Sequence, residues 1–214
     1  NLYGPYDNFD LETSHVLPAL IRKFHLGQCL ELNDWPALRA DLNQRPIQSV
    51  DGNASSESIL HVLSQHGITF EGDVSKQDNN ELQHSSSLST DHCPLVTVTL
   101  WGSGTPKREF LHVDDLADAC VFLMFQTTDT RLTNIGVGED LTIKELAGLI
   151  QGIVGFNGKM QFDADKPDGT PRKLLDISRL SNLGWEPRIS LEDGIRSVYT
   201  SYQKSQSMQA PQIK

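Results

Sequence analysis

The sequence lacks several patterns, and each absence removes a class of function. No GxGxxG or GxxGxxG follows a strand-like run, so the chain carries no dinucleotide-binding fingerprint of its own. No tyrosine has a lysine four places on; Tyr199 meets Gln203 at that spacing. Positive charge is not in excess: the net charge is -10 and the pI about 5.0, which argues against general nucleic-acid binding. Cysteine is scarce. Cys29, Cys93 and Cys120 are odd in number, far apart and without a CxxC, so a disulfide framework is not expected and a reduced, cytoplasmic setting is. No apolar run approaches the ~20 residues of a membrane helix, and no signal peptide or internal repeat is visible. Histidines do not pair at metal-ligand spacing, since His61 and His66 are five apart, so no metal is expected. The first residue is Asn1, which enters a strand-and-turn pattern at once; the chain reads as a piece of something longer.

What is present alternates between strand and helix patterns, the mark of the α/β class. Residues 1–27 read as a strand end at Leu2-Tyr3, an acidic loop, and a helix capped by Thr13 or Ser14 with Gly27 as its stop. Residues 28–96 differ in character and read as an insertion. Two short helices are expected there, from Trp35 to Leu42 and from Ser58 to His66. From Asp73 to Asp91 the residues are too polar to bury enough surface for ordering, and a mobile loop is expected.

Residues 97–204 read as the remainder of the ordered part. Strands are expected at Val96–Trp101, Glu109–Val113, Leu132–Val137 and Lys159–Phe162. Asp114 can cap a helix to about Phe125 whose face is Leu116, Ala119, Cys120, Leu123 and Met124. Thr142-Ile-Lys-Glu145 is a capping box opening a helix to about Val154. Asp176 opens a short helix that Gly184 stops, and Ser190 opens the last one, with Leu191, Ile195, Val198 and Tyr202 inward. The tail 205–214 should fray.

Three stretches carry chemistry. In WGSGTPKREFLHVDD, Trp101 to Asp115, a glycine-rich turn leads to Lys107 and Arg108, and the planar fork of Arg108 can grip a phosphate or simply face solvent. Trp101 can stack on a base or sugar, although core is the commoner fate of a tryptophan. PDGTPRKLLD, Pro167 to Asp176, presents Arg172 and Lys173 on a constrained loop; these suit a diphosphate or pair with Asp165 or Asp168. In NLYGPYDNFDLETSH, His15 opens a helix, where the dipole favours its neutral form and a proton-transfer role is open to it.

Together NLYGPYDNF, SHVLPALIRKFH, LWGSGTPKREFLHVDDLADA, NIGVGEDLTIKELA and FDADKPDGTPRKLLDISRLSNLGW resemble the GDP-L-fucose synthase family of the extended short-chain dehydrogenase/reductases. REFLHVDD alone indicates only the superfamily; PDGTPRKLLD and the serine-histidine helix make the resemblance specific. It implies an enzyme that epimerises C3 and C5 of GDP-4-keto-6-deoxy-D-mannose and then reduces C4 with NADPH. It also implies that this chain is the C-terminal, substrate-binding part, without the N-terminal Rossmann half, the Ser-Tyr-Lys triad and the partner cysteine. Some of its strands would then belong to the other half's sheet. On this resemblance His15 is the acid/base residue, also near the cofactor, and Asn1 and Leu2 line the nicotinamide end. Lys23, Trp101, Arg108, Lys159 and Lys173 contact the substrate, with Lys23 and Lys159 standing where the family has arginine. Cys29, Cys93 and Cys120 match no catalytic cysteine. A homodimer is implied at full length, and the chain by itself should be inactive.

Overall fold

The computed structural model describes residues 1–72, 95–126 and 131–207. In chain order the elements are β1 (Leu2–Tyr3), α1 (Val16–Glu31), α2 (Trp35–Gln44), α3 (Ser56–Gln65), β2 (Ile68–Glu71), β3 (Leu95–Trp101), β4 (Lys107–Arg108) and β5 (Leu111–His112). Then follow α4 (Val113–Gln126), β6 (Leu141–Thr142), α5 (Ile143–Val154), β7 (Lys159–Asp163), β8 (Arg172–Lys173), α6 (Ser178–Asn182) and α7 (Leu191–Ser207). The class is α/β, as expected. The chain divides into two compact units. One comprises Asn1–Asp7, Trp101–Ile153 and Ala164–Lys214; the other comprises Asn8–Leu100 and Val154–Asp163. The expected mobile loop and most of the expected tail lie outside the described residues.

In the second unit the sheet order is β2-β3-β7, with β2 antiparallel to β3 in the register Ile68↔Val98. Val96, Val98 and Leu100 alternate inward along β3, and α1 packs on α2 and β2. Asp34 caps α2 by accepting from Ala37 N at 3.0 Å, and Ser55 caps α3 by accepting from Ser58 N at 3.2 Å. Residues 28–72 therefore share one core with α1, through Leu38, Leu42, Ile59 and Leu63.

Two expectations fail in this unit. α1 does not stop at Gly27 but runs to Glu31. Gly27 is a packing position, where an added Cβ would lie 3.1 Å from both Phe156 and Val98. Neither Thr13 nor Ser14 caps α1. His15 occupies the cap position without a side-chain bond, Thr13 is held by Asp10, and Ser14 Oγ is buried without a partner among the described residues.

The first unit holds two small sheets. β1 and β5 are parallel (Leu2↔Leu111, Tyr3↔His112), and β6-β4-β8 form the other. Leu111, Ala119, Leu180 and Trp185 form a core cluster, against which Leu116, Phe122 and Leu123 pack. That corrects the expected face of α4: Cys120 and Met124 are exposed, and Phe122 turns inward instead. α4 also begins at Val113, so Asp114 lies in its first turn rather than capping it. Asp115 is committed elsewhere, accepting from Arg188 N and Ile189 N at 3.1 and 3.0 Å. The capping box of α5 forms both ways: Thr142 N donates to Glu145 at 2.8 Å and Glu145 N to Thr142 Oγ1 at 3.0 Å. α7 begins as expected, with Ser190 Oγ accepting from Asp193 N at 3.1 Å. Leu132–Val137 is no strand, and at its end Val137 N donates to the carboxylate of Glu109 rather than to a neighbouring strand.

Candidate functional site

The charged residues of the first unit are sorted by β geometry. β4 runs parallel to β8 with Lys107 opposite Arg172 and Arg108 opposite Lys173. Side chains alternate faces along a strand, so Arg108 and Lys173 share one face and Lys107 and Arg172 the other. Arg172 is bound to Asp140. Arg108 bonds only to the carbonyl of Lys107, at 2.7 Å, and no carboxylate among the described residues pairs with Arg108 or Lys173. Like charges side by side in a sheet are unfavourable unless something offsets them. Neighbouring, uncommitted cations are what a diphosphate requires.

The loop from Pro167 to Pro171 is tied to the turn after Trp101. Asp168 accepts from Ser103 N at 2.9 Å and from Ser103 Oγ at 2.6 Å. These bonds hold its carboxyl below the usual carboxylate range. Gly102 has φ +84° and no space for a Cβ, which would sit 2.4 Å from Asp168 Oδ1, so the turn needs glycine twice over. Trp101 is 68 % exposed, with Lys166 Nζ 5.6 Å from its ring centre. The core alternative for Trp101 does not hold, and its ring is open to a stacking partner. Asn1 joins the same unit by donating from Nδ2 to the carbonyl of Glu109 at 2.9 Å, and Leu2 is 47 % exposed beside it.

The second unit carries His15, Lys23 and Lys159. His15 is exposed at the start of α1, and Lys159 is exposed at the start of β7. Lys23 is half-buried on α1 with no acid partner among the described residues, and burial lowers its pKa to about 8. Between about pH 8 and its ordinary 10.5 the folded chain therefore binds fewer protons than the unfolded one. Its burial penalty is complete below pH 8 and fades as pH rises through that window. An anion docking on Lys23 would restore the charge, so binding of the anionic ligand that the resemblance implies for Lys23 should take up protons above pH 8. Titration calorimetry in buffers of different ionisation enthalpy checks this, and Lys23→Met should abolish the uptake.

Arg22, next in sequence to Lys23, points the other way. It is wholly buried and bonded to Asp41, and so is not a ligand residue. Cys29 is buried beside His25, and burial pushes its thiol up to about 12, which leaves it inert as an acid or nucleophile. Among the described residues no three His, Cys, Asp or Glu side chains converge as a metal site, and no helix is long and apolar enough to cross a membrane. The structure thus gathers Asn1, Leu2, Trp101, Arg108 and Lys173 in one unit and His15, Lys23 and Lys159 in the other. Sequence reading passed over Glu109: it lies within REFLHVDD, but nothing in that motif showed that its carboxylate is buried.

The sequence profile of the NAD dependent epimerase/dehydratase family matches residues 69–136. GDP-L-fucose synthase 1 of Arabidopsis thaliana is 40 % identical over 205 residues, covering 96 % of this chain and 44 % of the plant protein. GDP-L-fucose synthase of Escherichia coli is 37 % identical over 215 residues, covering 96 % of this chain and 47 % of its own length. Over nearly all of its length the chain is similar to about half of a GDP-L-fucose synthase. It spans about half the length of the curated relatives it matches. Among solved structures, MlghC, a GDP-mannoheptose C4 reductase from Campylobacter jejuni with NADP bound, superposes with a TM-score of 0.69 at 33 % identity, over 95 % of this chain and 51 % of that one. The likeness places the α/β fold of these residues inside larger GDP-sugar enzymes.

Proposed function

We propose that this chain is the GDP-sugar-binding part of an NADPH-dependent enzyme that makes GDP-L-fucose from GDP-4-keto-6-deoxy-D-mannose. The observation that carries this reading is the pair Arg108 and Lys173, neighbours on one face and without an acid partner among the described residues. Exposed Trp101 in the same unit offers a ring for the nucleotide, and Asn1 and Leu2 line the nicotinamide end of NADPH. Residues 1–27 and 97–204 are then the substrate-binding part, 28–96 an insertion and 205–214 a tail; the full-length enzyme is a cytoplasmic homodimer.

In this reading the C4 ketone acidifies the hydrogens on C3 and C5. A base removes each proton from one face, the charge rests on the enolate oxygen, and an acid returns a proton to the opposite face. His15 takes one of these roles. Reduction then adds hydride to C4 and a proton to its oxygen, giving the C4 alcohol. The 214 residues hold no catalytic cysteine matching the family's and no Tyr-x-x-x-Lys, so alone they should bind the sugar without turning it over. Incubating the chain with NADPH and the 4-keto sugar should leave both unchanged, and any GDP-L-fucose formed would refute this. In an active enzyme containing this chain, His15→Asn should cut solvent-deuterium incorporation at C3 and C5 by roughly 100-fold or more, the scale of general acid–base catalysis, far more than it weakens NADPH binding. Undiminished exchange would remove His15 from the mechanism.

A second reading has specific support. The fold likeness to a GDP-mannoheptose C4 reductase at 33 % identity favours a 4-keto heptose as the sugar. Competition between GDP-linked 4-keto-6-deoxyhexose and 4-keto-heptose for the active enzyme separates the two.

A further inference from the structure

Glu109 follows Arg108 in the chain and has no part in the chemistry above. It is 3 % exposed, yet no lysine or arginine pairs with its carboxylate among the described residues. Backbone amides from two separate loops meet it instead. Val137 N and Gly138 N donate to Oε1 at 2.6 and 2.7 Å, and Leu175 N donates to Oε2 at 3.2 Å. The Glu109 carbonyl accepts from Asn1 Nδ2 at 2.9 Å. One residue thus ties the start of β1, the loop at 136–138 and the segment just past Lys173. A buried carboxylate is costly unless hydrogen bonds replace its water, and bonds to a charged acceptor are the strong kind. Three converging N–H donors need an acceptor-only group: glutamine would present an NH2 to at least one of them. The site is shaped to that carboxylate, since a Cβ at Gly136 would lie 2.5 Å from Oε1.

We propose that Glu109 is a positioning residue for the Arg108–Lys173 pair. Its amide cradle fixes Leu175, two residues beyond Lys173, and thereby the parallel alignment that sets Lys173 beside Arg108. Successive residues of an extended segment point to opposite sides, so the carboxylate is held away from the guanidinium next to it. The acid nearest in sequence to Arg108 is satisfied by backbone and consumes no cation. This inference rests on the GDP-sugar reading for the ligand, but the cradle can be measured without it.

The test compares wild type, Glu109→Gln and Gly136→Ala by amide exchange and by GDP titration. Glu109→Gln should speed exchange at Val137, Gly138 and Leu175 at least tenfold and weaken GDP binding about tenfold. Glu109→Asp should recover part of both. In a chain already carrying Arg108→Ala and Lys173→Ala, Glu109→Gln should cost no further GDP affinity, a coupling that a merely structural role would not produce. Unchanged protection of the three amides overturns the proposal, as does GDP affinity within twofold of wild type or the same loss in the cation-free chain. If Glu109→Gln does not fold, Gly136→Ala decides alone, and wild-type amide protection and GDP affinity in that variant overturn the proposal. A wild-type chain that fails to bind GDP sinks the GDP-sugar reading and this role with it, even if the cradle amides are protected.

Discussion

Arg108→Ala should weaken GDP binding by about 1.5–3 kcal/mol, the usual worth of a hydrogen bond to a charged group. Lys173→Ala should fall at the lower end of that range, because an ammonium meets a phosphate as a point charge rather than as a planar fork. The reason is that strand register sets these two cations side by side, and neither pairs with a carboxylate among the described residues. Arg172 is engaged by Asp140, so Arg172→Ala should disturb the local fold more than the affinity. Removing either member of the Arg108–Lys173 pair also relieves repulsion on the other, so the double variant should lose less than the sum of the singles. Titration calorimetry across the three single variants and the double reads all of this. An unchanged dissociation constant for Arg108→Ala would return that residue to an ordinary surface charge.

Arg22→Ala should destabilise the second unit by about 3–5 kcal/mol, a large fraction of what holds a domain together. Both Arg22 and Asp41 are 0 % exposed. Arg22 Nε donates to Asp41 Oδ1 at 2.9 Å, Nη1 to the Phe9 carbonyl at 3.2 Å and Nη2 to the Arg45 carbonyl. Removing the arginine takes a charged donor from a buried carboxylate and from two carbonyls at once, with Arg45 3.8 Å from that carboxylate. Replacing both charges, as Arg22→Met with Asp41→Leu, should cost clearly less than Arg22→Ala alone, since no buried charge is then left unpaired. Urea unfolding measures both variants, and a loss below about 1 kcal/mol for Arg22→Ala would contradict the buried geometry. The effect reaches function indirectly, because the helix so anchored carries Lys23 and follows His15.

Features written locally were legible in the sequence. The Thr142–Glu145 box, the Ser190 cap and the inward stripe of Ile195, Val198 and Tyr202 depend on residues three or four apart, and each formed as expected. Features set by distant partners were not. β2 exists because Ile68–Glu71 meets β3 across a gap of more than twenty residues, and its own four residues did not announce it. Arg22 and Lys23 are adjacent cations in the sequence, but neighbours on a helix point about 100° apart. One turned into the core toward Asp41, and the other stayed half-exposed. Leu132–Val137 reads as a strand by composition, but Val137 N went to Glu109 in place of a ladder.

At the site, the family motifs located Arg108, Lys173 and Trp101, but their relationship came from strand register. Only the parallel alignment of β4 with β8 shows which two of four adjacent cations share a face. The buried role of Glu109 was hidden for the same reason, since its three donors come from residues 28 and more positions away.

In the proposed function, Arg108 and Lys173 grip the diphosphate of a GDP-sugar. Calorimetric titration of the unaltered chain with guanosine, GMP and GDP tests it most directly. Affinity should rise from guanosine through GMP to GDP, with the last step lost in Arg108→Ala. Equal affinity for all three, or no binding of GDP at all, would contradict it.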